Sequence, residues 1–312
     1  MSTAQLNYAS LQINRYFAVI VLLFGLVGNV LSCFVFLQRI FRTNPCAMYF
    51  LVASISNLIS LISGIPPRLL SNWNIYSDHT ETISALCKSR LIVLLTSRNI
   101  SSWLLLSATI DRYLISSPNA NIRRMSNLKQ SYRWILIISL LSLIFWSESL
   151  YCFDANLIGT PIKCYAKSNV CRIINDLAQS LVTTIIPSSC VLIFGLYTIA
   201  NIRRIKRIRS VIAAANNNKP IRRRKTDRQL TRILFIQVIF LTIFNIPQAI
   251  QKFYLTATFY QSKSLDQIAL ENLLFNIVVL FTYILNCIPF YLYILTSRIF
   301  RKTFYEFFPF RI

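Results

Sequence analysis

The sequence predicts an all-α membrane protein, a bundle of seven transmembrane helices, on two observations. Hydrophobic residues make up 55% of the 312 and charged residues 14%, with only 5 Gly. That balance leaves too little polar surface to cover a soluble core of this size. The apolar residues also gather in long runs, and a helix rising ~1.5 Å per residue needs about 20 of them to cross roughly 30 Å of hydrocarbon.

Seven runs reach that length, near residues 16–37, 47–70, 91–113, 134–151, 177–199, 233–254 and 273–295. Stretches 19–28 and 135–144 are almost continuously apolar, unlike the alternation of a barrel strand, and a helix pairs its own backbone groups inside lipid. No short apolar region with a small-residue cleavage site precedes the first run, which is read as a retained anchor. After the fifth run, Ile202, Ile205, Ile208 and Ile212 recur at helical spacing among Arg and Lys, so this helix is expected to extend past the membrane. The segment Asn216-Asn217-Asn218-Lys219-Pro220 then breaks it.

Charge sets the orientation. One set of connections carries Arg39 and Arg42, then Arg123, Arg124, Lys129 and Arg133, then twelve Lys and Arg between positions 203 and 232, then Arg298, Arg301, Lys302 and Arg311. The other set is poorer in cations and holds most of the acids. The positive-inside rule places the N-terminus outside and the C-terminus in the cytosol. The expected organisation is an extracellular tail over 1–15, a seven-helix domain over 16–297 and a cytosolic end over 298–312 of a multi-pass plasma-membrane protein. The net charge of +23 fits a basic rim on the anionic inner leaflet of the bilayer and argues against a nucleic-acid partner.

The third run narrows the class. Cys87 lies at its outer end and Asp111-Arg112-Tyr113 at its inner end, about 37 Å apart at helical rise. This arrangement resembles the outer Cys and inner Asp-Arg-Tyr of rhodopsin-like G-protein-coupled receptors. Similar landmarks are Gly28-Asn29 in the first helix, the segment from Leu51 to Leu58 in the second, and Pro66, Pro187 and Pro247 at the family's helix-kinking positions. The seventh run ends Ile288-Pro289-Phe290-Tyr291-Leu292-Tyr293, followed by Arg298-Ile299-Phe300-Arg301-Lys302. That ending is similar to the family's terminal Tyr and short amphipathic eighth helix, and to invertebrate peptide receptors of the FMRFamide type.

Departures accompany the likeness. Asn57 replaces the family's Asp beside a hydroxyl such as Ser101, Phe244-Asn245-Ile246-Pro247 stands for Cys-Trp-x-Pro, and Pro289 takes the Asn position of Asn-Pro-x-x-Tyr. Asn29, Asn57, Ser101, Asn245 and Asn286 are the expected intramembrane polar network, and Pro66, Pro187, Pro247 and Pro289 the expected bends.

The resemblance implies a function: an extracellular ligand is converted into activation of a heterotrimeric G protein by outward movement of the sixth helix. It gives Arg112 the switch role, paired with Asp111, with Tyr113 and Tyr293 lining the surface that opens. Asp227, twenty residues before Pro247, is the candidate resting lock for Arg112. On residue type alone, Asp111 with Arg112 is equally a rim salt bridge.

Of the 8 cysteines, Cys33, Cys190 and Cys287 lie in apolar runs and Cys46 near the cytosolic rim, whereas Cys87, Cys152, Cys164 and Cys171 fall on the outer side, where disulfides persist. The resemblance implies a bond from Cys87 to the second outer loop. Cys164 is its expected partner, Cys171 the rival, and Cys152 with Cys171 would then close a second bridge.

Arg98 lies eleven residues after Cys87, roughly 16 Å into the membrane. A charge at that depth needs a partner or a polar cavity, so it either pairs with Glu148 or meets a ligand. Arg68 and Arg90 lie nearer the mouth, and three guanidiniums favour an anionic group such as a peptide carboxylate or acidic side chain. Glu271 is the candidate counterweight for a cationic part. The third helix reads Val93-Leu94-Leu95-Thr96 where amine receptors place an acid, so a peptide ligand is expected. No nucleophile–base set or metal cluster is legible, and neither catalysis nor a cofactor is implied. Two alternatives remain: a transporter or channel, and a degenerate receptor that binds without signalling.

Overall fold

The computed structural model describes residues 3–73, 79–157, 163–213, 223–258 and 261–307, without the side chains at 72, 80, 81, 205–213, 223–233, 235, 238, 242 and 307. The expected break at Asn216 to Pro220 lies outside the described residues.

The first helix, α1, runs Thr3–Phe36, with a wide π-helical turn at Ile13–Phe17. It starts well before the apolar run does. Leu6, Ser10 and Asn14 are buried, and the Asn276 amide donates to the Ser10 hydroxyl at 2.7 Å. Helix α2 covers Pro45–Asn72; Asn44 caps it by accepting from the Cys46 N–H at 3.0 Å, and Pro45 occupies the first turn, where a missing N–H costs nothing. Helix α3 covers Ser84–Ser116. Helix α4 covers Leu128–Trp146, capped by Asn127, which accepts from the Gln130 N–H at 2.9 Å.

Helix α5 is assembled from Asn169–Ala178, a π-helical stretch Gln179–Ile185, and Ile186–Ala213, so it does extend into the basic segment. Pro187 follows the wide stretch directly, as expected where one backbone donor is missing. Helix α6 covers Arg223–Ala257 and contains Pro247; α7 covers Leu265–Thr296, contains Pro289 and opens with a capping box from Ser264 and Gln267. A ten-residue helix, α8, follows at Arg298–Phe307.

Among the described residues, six spans are long and apolar enough to cross a membrane: Thr3–Phe36, Pro45–Ser71, Ser84–Ser116, Leu128–Cys152, Asn169–Arg204 and Leu265–Thr296. Their outward faces are apolar, as at Leu136, Leu141 and Ile144 of α4, all more than half exposed; only lipid makes such a surface favourable. Helix α3 is the hub, packed against α2, α4, α5 and α6, while α1 closes the ring between α2 and α7.

Two apolar clusters hold the bundle. One sits at the Asp-Arg-Tyr end, where Phe36 meets the rings of Phe50, Tyr293 and Phe300 at 5.8, 5.3 and 5.4 Å. The other joins Val21, Leu61, Ile65, Leu280 and Tyr283 near the opposite end. Between α4 and α5 a two-stranded antiparallel hairpin pairs β1, Phe153–Asp154, with β2, Tyr165–Ala166.

Candidate ligand cavity and switch

Two disulfides fix the hairpin. Cys87 at the start of α3 bonds Cys164, and Cys152 bonds Cys171 in the first turn of α5. The rival pairing of Cys87 with Cys171 is therefore not the one formed. Cys46 is outside both disulfides and is buried, its Sγ donating to the Ala108 carbonyl at 3.9 Å.

Beneath the hairpin lies a cavity of about 120 Å³ whose wall includes Arg68, Arg90, Arg98, Arg172, Lys252 and Asp176. The three arginines expected to share a vestibule do so. Arg68 donates to the Asn276 amide oxygen at 3.2 Å. Arg98 points inward, away from Glu148: its Nε donates to the Ser60 hydroxyl at 3.4 Å, and its guanidinium carbon lies 4.3 Å from the Tyr283 ring centroid. Cation–π contact of this kind partly offsets the cost of burying the charge. The Nη2 of Arg98 is buried with no hydrogen-bond partner among the described residues.

Asp176 and Lys252 form a buried ion pair across α5 and α6, with Arg172 3.9 Å from the same carboxylate. Sequence reading did not join these residues; the signal was only that each stands near the outer end of an apolar run. Glu271 is not in the cavity wall. Its carboxylate accepts from the Lys263 ammonium at 2.7 and 2.8 Å and from the Tyr254 hydroxyl at 3.2 Å, because the short connector before α7 brings Lys263 onto it.

Deeper in, Arg98, Asn57, Ser101, Asn245 and Asn286 line a smaller polar cavity of about 70 Å³. The Ser101 hydroxyl donates to the Asn57 amide oxygen at 2.7 Å. Asn286 donates to Ser60 at 3.2 Å, and Asn29 donates to the backbone carbonyl of Asn286 at 2.7 Å. The expected network is thus brought together, with Ser60 as the member linking Arg98 to Asn286.

At the far end Arg112 is 2% exposed and bonds Asp111 at 2.6 Å and the Asn44 amide oxygen at 3.0 Å. The other carboxylate oxygen of Asp111 accepts from the Ser126 hydroxyl. Asn44 and Ser126 went unnoticed because nothing local marks a loop residue as the neighbour of a distant helix. Tyr113 packs on Phe194 and Tyr197 at 5.6 and 6.2 Å. The Tyr293 hydroxyl donates to the Gln237 side chain of α6 at 3.3 Å. The Asp227 side chain lies outside the described residues.

A bundle hung on α3, stapled at Cys87 and carrying a buried Asp-Arg pair one crossing away, has a counterpart among known families. The family model "7 transmembrane receptor (rhodopsin family)" matches residues 28–293, most of the chain. The chain belongs to the rhodopsin family of seven-transmembrane receptors. This receptor is similar to neuromedin-U receptor 2 of Rattus norvegicus, 23% identical over 307 residues that cover 95% of this chain and 74% of the relative. It is similar also to neuromedin-U receptor 2 of Homo sapiens, 22% identical over 289 residues that cover 90% of this chain and 68% of the relative. The receptor is a multi-pass membrane protein, and the transporter or channel alternative falls away with the family match.

Proposed function

We propose that this receptor binds an extracellular peptide through an anionic group, held in the cavity under the hairpin by Arg98 with Arg68 and Arg90. The observation that carries the reading is the buried, unpartnered Nη2 of Arg98 in a wall holding five cationic side chains and one acid. A buried donor of this kind is costly unless a ligand accepts from it, and a planar guanidinium suits a carboxylate. Both similar proteins carry the name neuromedin-U receptor 2, which makes neuromedin-U-like peptides the first ligands to try.

In the same reading the N-terminus faces outside, α6 swings away from α3 on activation, and a heterotrimeric G protein docks on the surface formed by Arg112, Tyr113, Tyr293 and the basic ends of α5 and α6. Ligand drives this only by binding the open arrangement better than the closed one. The basic rim of the Asp-Arg-Tyr side supports that orientation.

The test is agonist-dependent nucleotide exchange on a G-protein panel, in membranes, against a peptide library. Arg98→Ala should lower agonist potency roughly ten- to a hundred-fold, the scale of one charged hydrogen bond, with surface expression preserved. Unchanged potency would remove Arg98 from the ligand site. Peptide binding with normal surface expression and no exchange would instead support a receptor that binds without signalling, as the substitutions Asn57, Asn245 and Pro289 allow.

A further inference from the structure

A third cavity, about 620 Å³, lies on the outside of the bundle between α3 and α4, away from the cavity under the hairpin. Its wall includes Trp103, Ile110, Trp134, Ile138, Leu141 and Phe145. Trp134 and Leu141 are 46% and 60% exposed, so the groove opens sideways, at the depth of the Leu128–Cys152 span. Its volume falls within the range of about 300–1,000 Å³ typical of ligand sites. From Gln130 to Phe145 it runs roughly 22 Å at helical rise, enough for the ~15 Å that the chains of one leaflet occupy.

The wall asks mostly for hydrocarbon, because most of its polar members already have partners. Asn99 donates to Ser142 at 2.9 Å and accepts from Thr183 at 3.1 Å; Ser107 donates to the Trp103 carbonyl at 2.9 Å and Ser131 to the Asn127 carbonyl at 3.2 Å. At the Asp-Arg-Tyr end the floor is the Ser126–Asp111 bond. The rim there is cationic. Arg124, Lys129 and Arg133 are exposed, and Arg133 is three residues after Gln130 and four before Ile137, which puts it beside the lined face of α4.

We infer that this groove is a binding site for one acyl chain of an anionic phospholipid from the leaflet on the Asp111–Arg112 side, its phosphate held at Lys129 and Arg133. An apolar slot of leaflet depth with basic groups at one end is complementary to that molecule in shape, polarity and charge. Seated there, the chain shields the Ser126–Asp111 bond from water and so strengthens the Asp111–Arg112 pair behind it.

Lipid retention reads this out without agonist or G protein, so its failure is distinct from failure of the receptor reading. The full chain, purified in detergent, is incubated with phosphatidylserine or phosphatidylcholine of matched chains and analysed by native mass spectrometry. One phosphatidylserine should be retained in preference to phosphatidylcholine, and Lys129→Gln and Arg133→Gln should each reduce the preference roughly five-fold. Ile138→Trp, which fills the slot, should abolish retention of both lipids. Leu141→Gln, at a site exposed enough to spare the packing, should weaken both without changing their ratio. Equal retention of the two lipids by the unaltered receptor would overturn the inference. So would retention that survives both Ile138→Trp and Leu141→Gln, or displacement by a sterol in place of phospholipid.

Discussion

Arg98 and Tyr283 form the joint between two cavities: the guanidinium lies 4.3 Å from the Tyr283 ring, both residues line the outer cavity, and Arg98 also lines the central polar one. The joint depends on a residue with no side chain. A Cβ at Gly64 would overlap the Tyr283 hydroxyl and sit 2.7 Å from its Cζ. Gly64→Ala must therefore displace the ring on which Arg98 rests, at a cost of about 1–3 kcal/mol. A lowered thermal midpoint in detergent is expected, partly recovered when Tyr283→Phe removes the overlapping hydroxyl. Wild-type stability in Gly64→Ala alone would show that the ring has room to move.

The pair Asp176–Lys252 ties α5 to α6 at the ligand end. Lys252→Met leaves a buried carboxylate with Arg172 alone, 3.9 Å away, and breaking a buried pair costs about 3–5 kcal/mol. The loss should fall near the lower limit because Arg172 remains. Adding Asp176→Asn removes the stranded charge and should restore most of the thermal midpoint. A double variant as unstable as Lys252→Met would mean that the lysine contributes by packing and not by charge.

Asp111→Asn weakens the charge partner of Arg112 while its bond to Asn44 remains. If the pair holds the closed arrangement, a loss of about 1.4 kcal/mol raises a sparsely populated open state ten-fold. Ligand-free nucleotide exchange should rise by about that factor. Basal exchange at the wild-type level would assign the pair to structure alone.

The hairpin carries a pH dependence. The Ser84 hydroxyl, and then the Ala155 N–H at 2.8 Å, hold the Asp154 carboxyl below the usual carboxylate range. A depressed folded-state value contributes stability above the ordinary carboxylate pKa and loses it as the pH falls through the lowered one. Amide protection factors in the hairpin, corrected for the intrinsic pH dependence of exchange, should therefore fall on acidification, and Asp154→Asn should flatten the profile. Protection that stays constant into the acid range would show the carboxylate to be incidental.

Much of the bundle was legible because lipid leaves a one-dimensional signature: a run of apolar residues is enough to announce a crossing. What such a run hides is partnership. The first helix is already formed at Thr3, ahead of the apolar run, where Leu6 is buried and Ser10 bonds Asn276, a contact more than 250 positions apart that leaves no trace in hydropathy. Arg98 was readable as a buried charge, with a pair to Glu148 and a ligand role equally open, but its contact with Tyr283 depends on helical phase and tilt and could not be read. For Glu271 the sequence did not show that Lys263, eight residues before it, is the cation its carboxylate meets, because that contact depends on how the connector turns. The π-helical turns at Ile13–Phe17 and Gln179–Ile185 carry no composition that marks them.

The two sulfur bridges divide labour within the molecule. They clamp the hairpin to α3 and join the ends of α4 and α5, making a lid and its hinge-side wall into one cross-linked block. Where α6 approaches α7, the described residues are joined by noncovalent contacts, the Lys263–Glu271 ion pair and the Tyr254 hydroxyl on the same carboxylate. If the proposed ligand enters under this lid, exchanging a residue such as Tyr165, which lines the cavity, should change which molecule is accepted without loosening the cross-linked block.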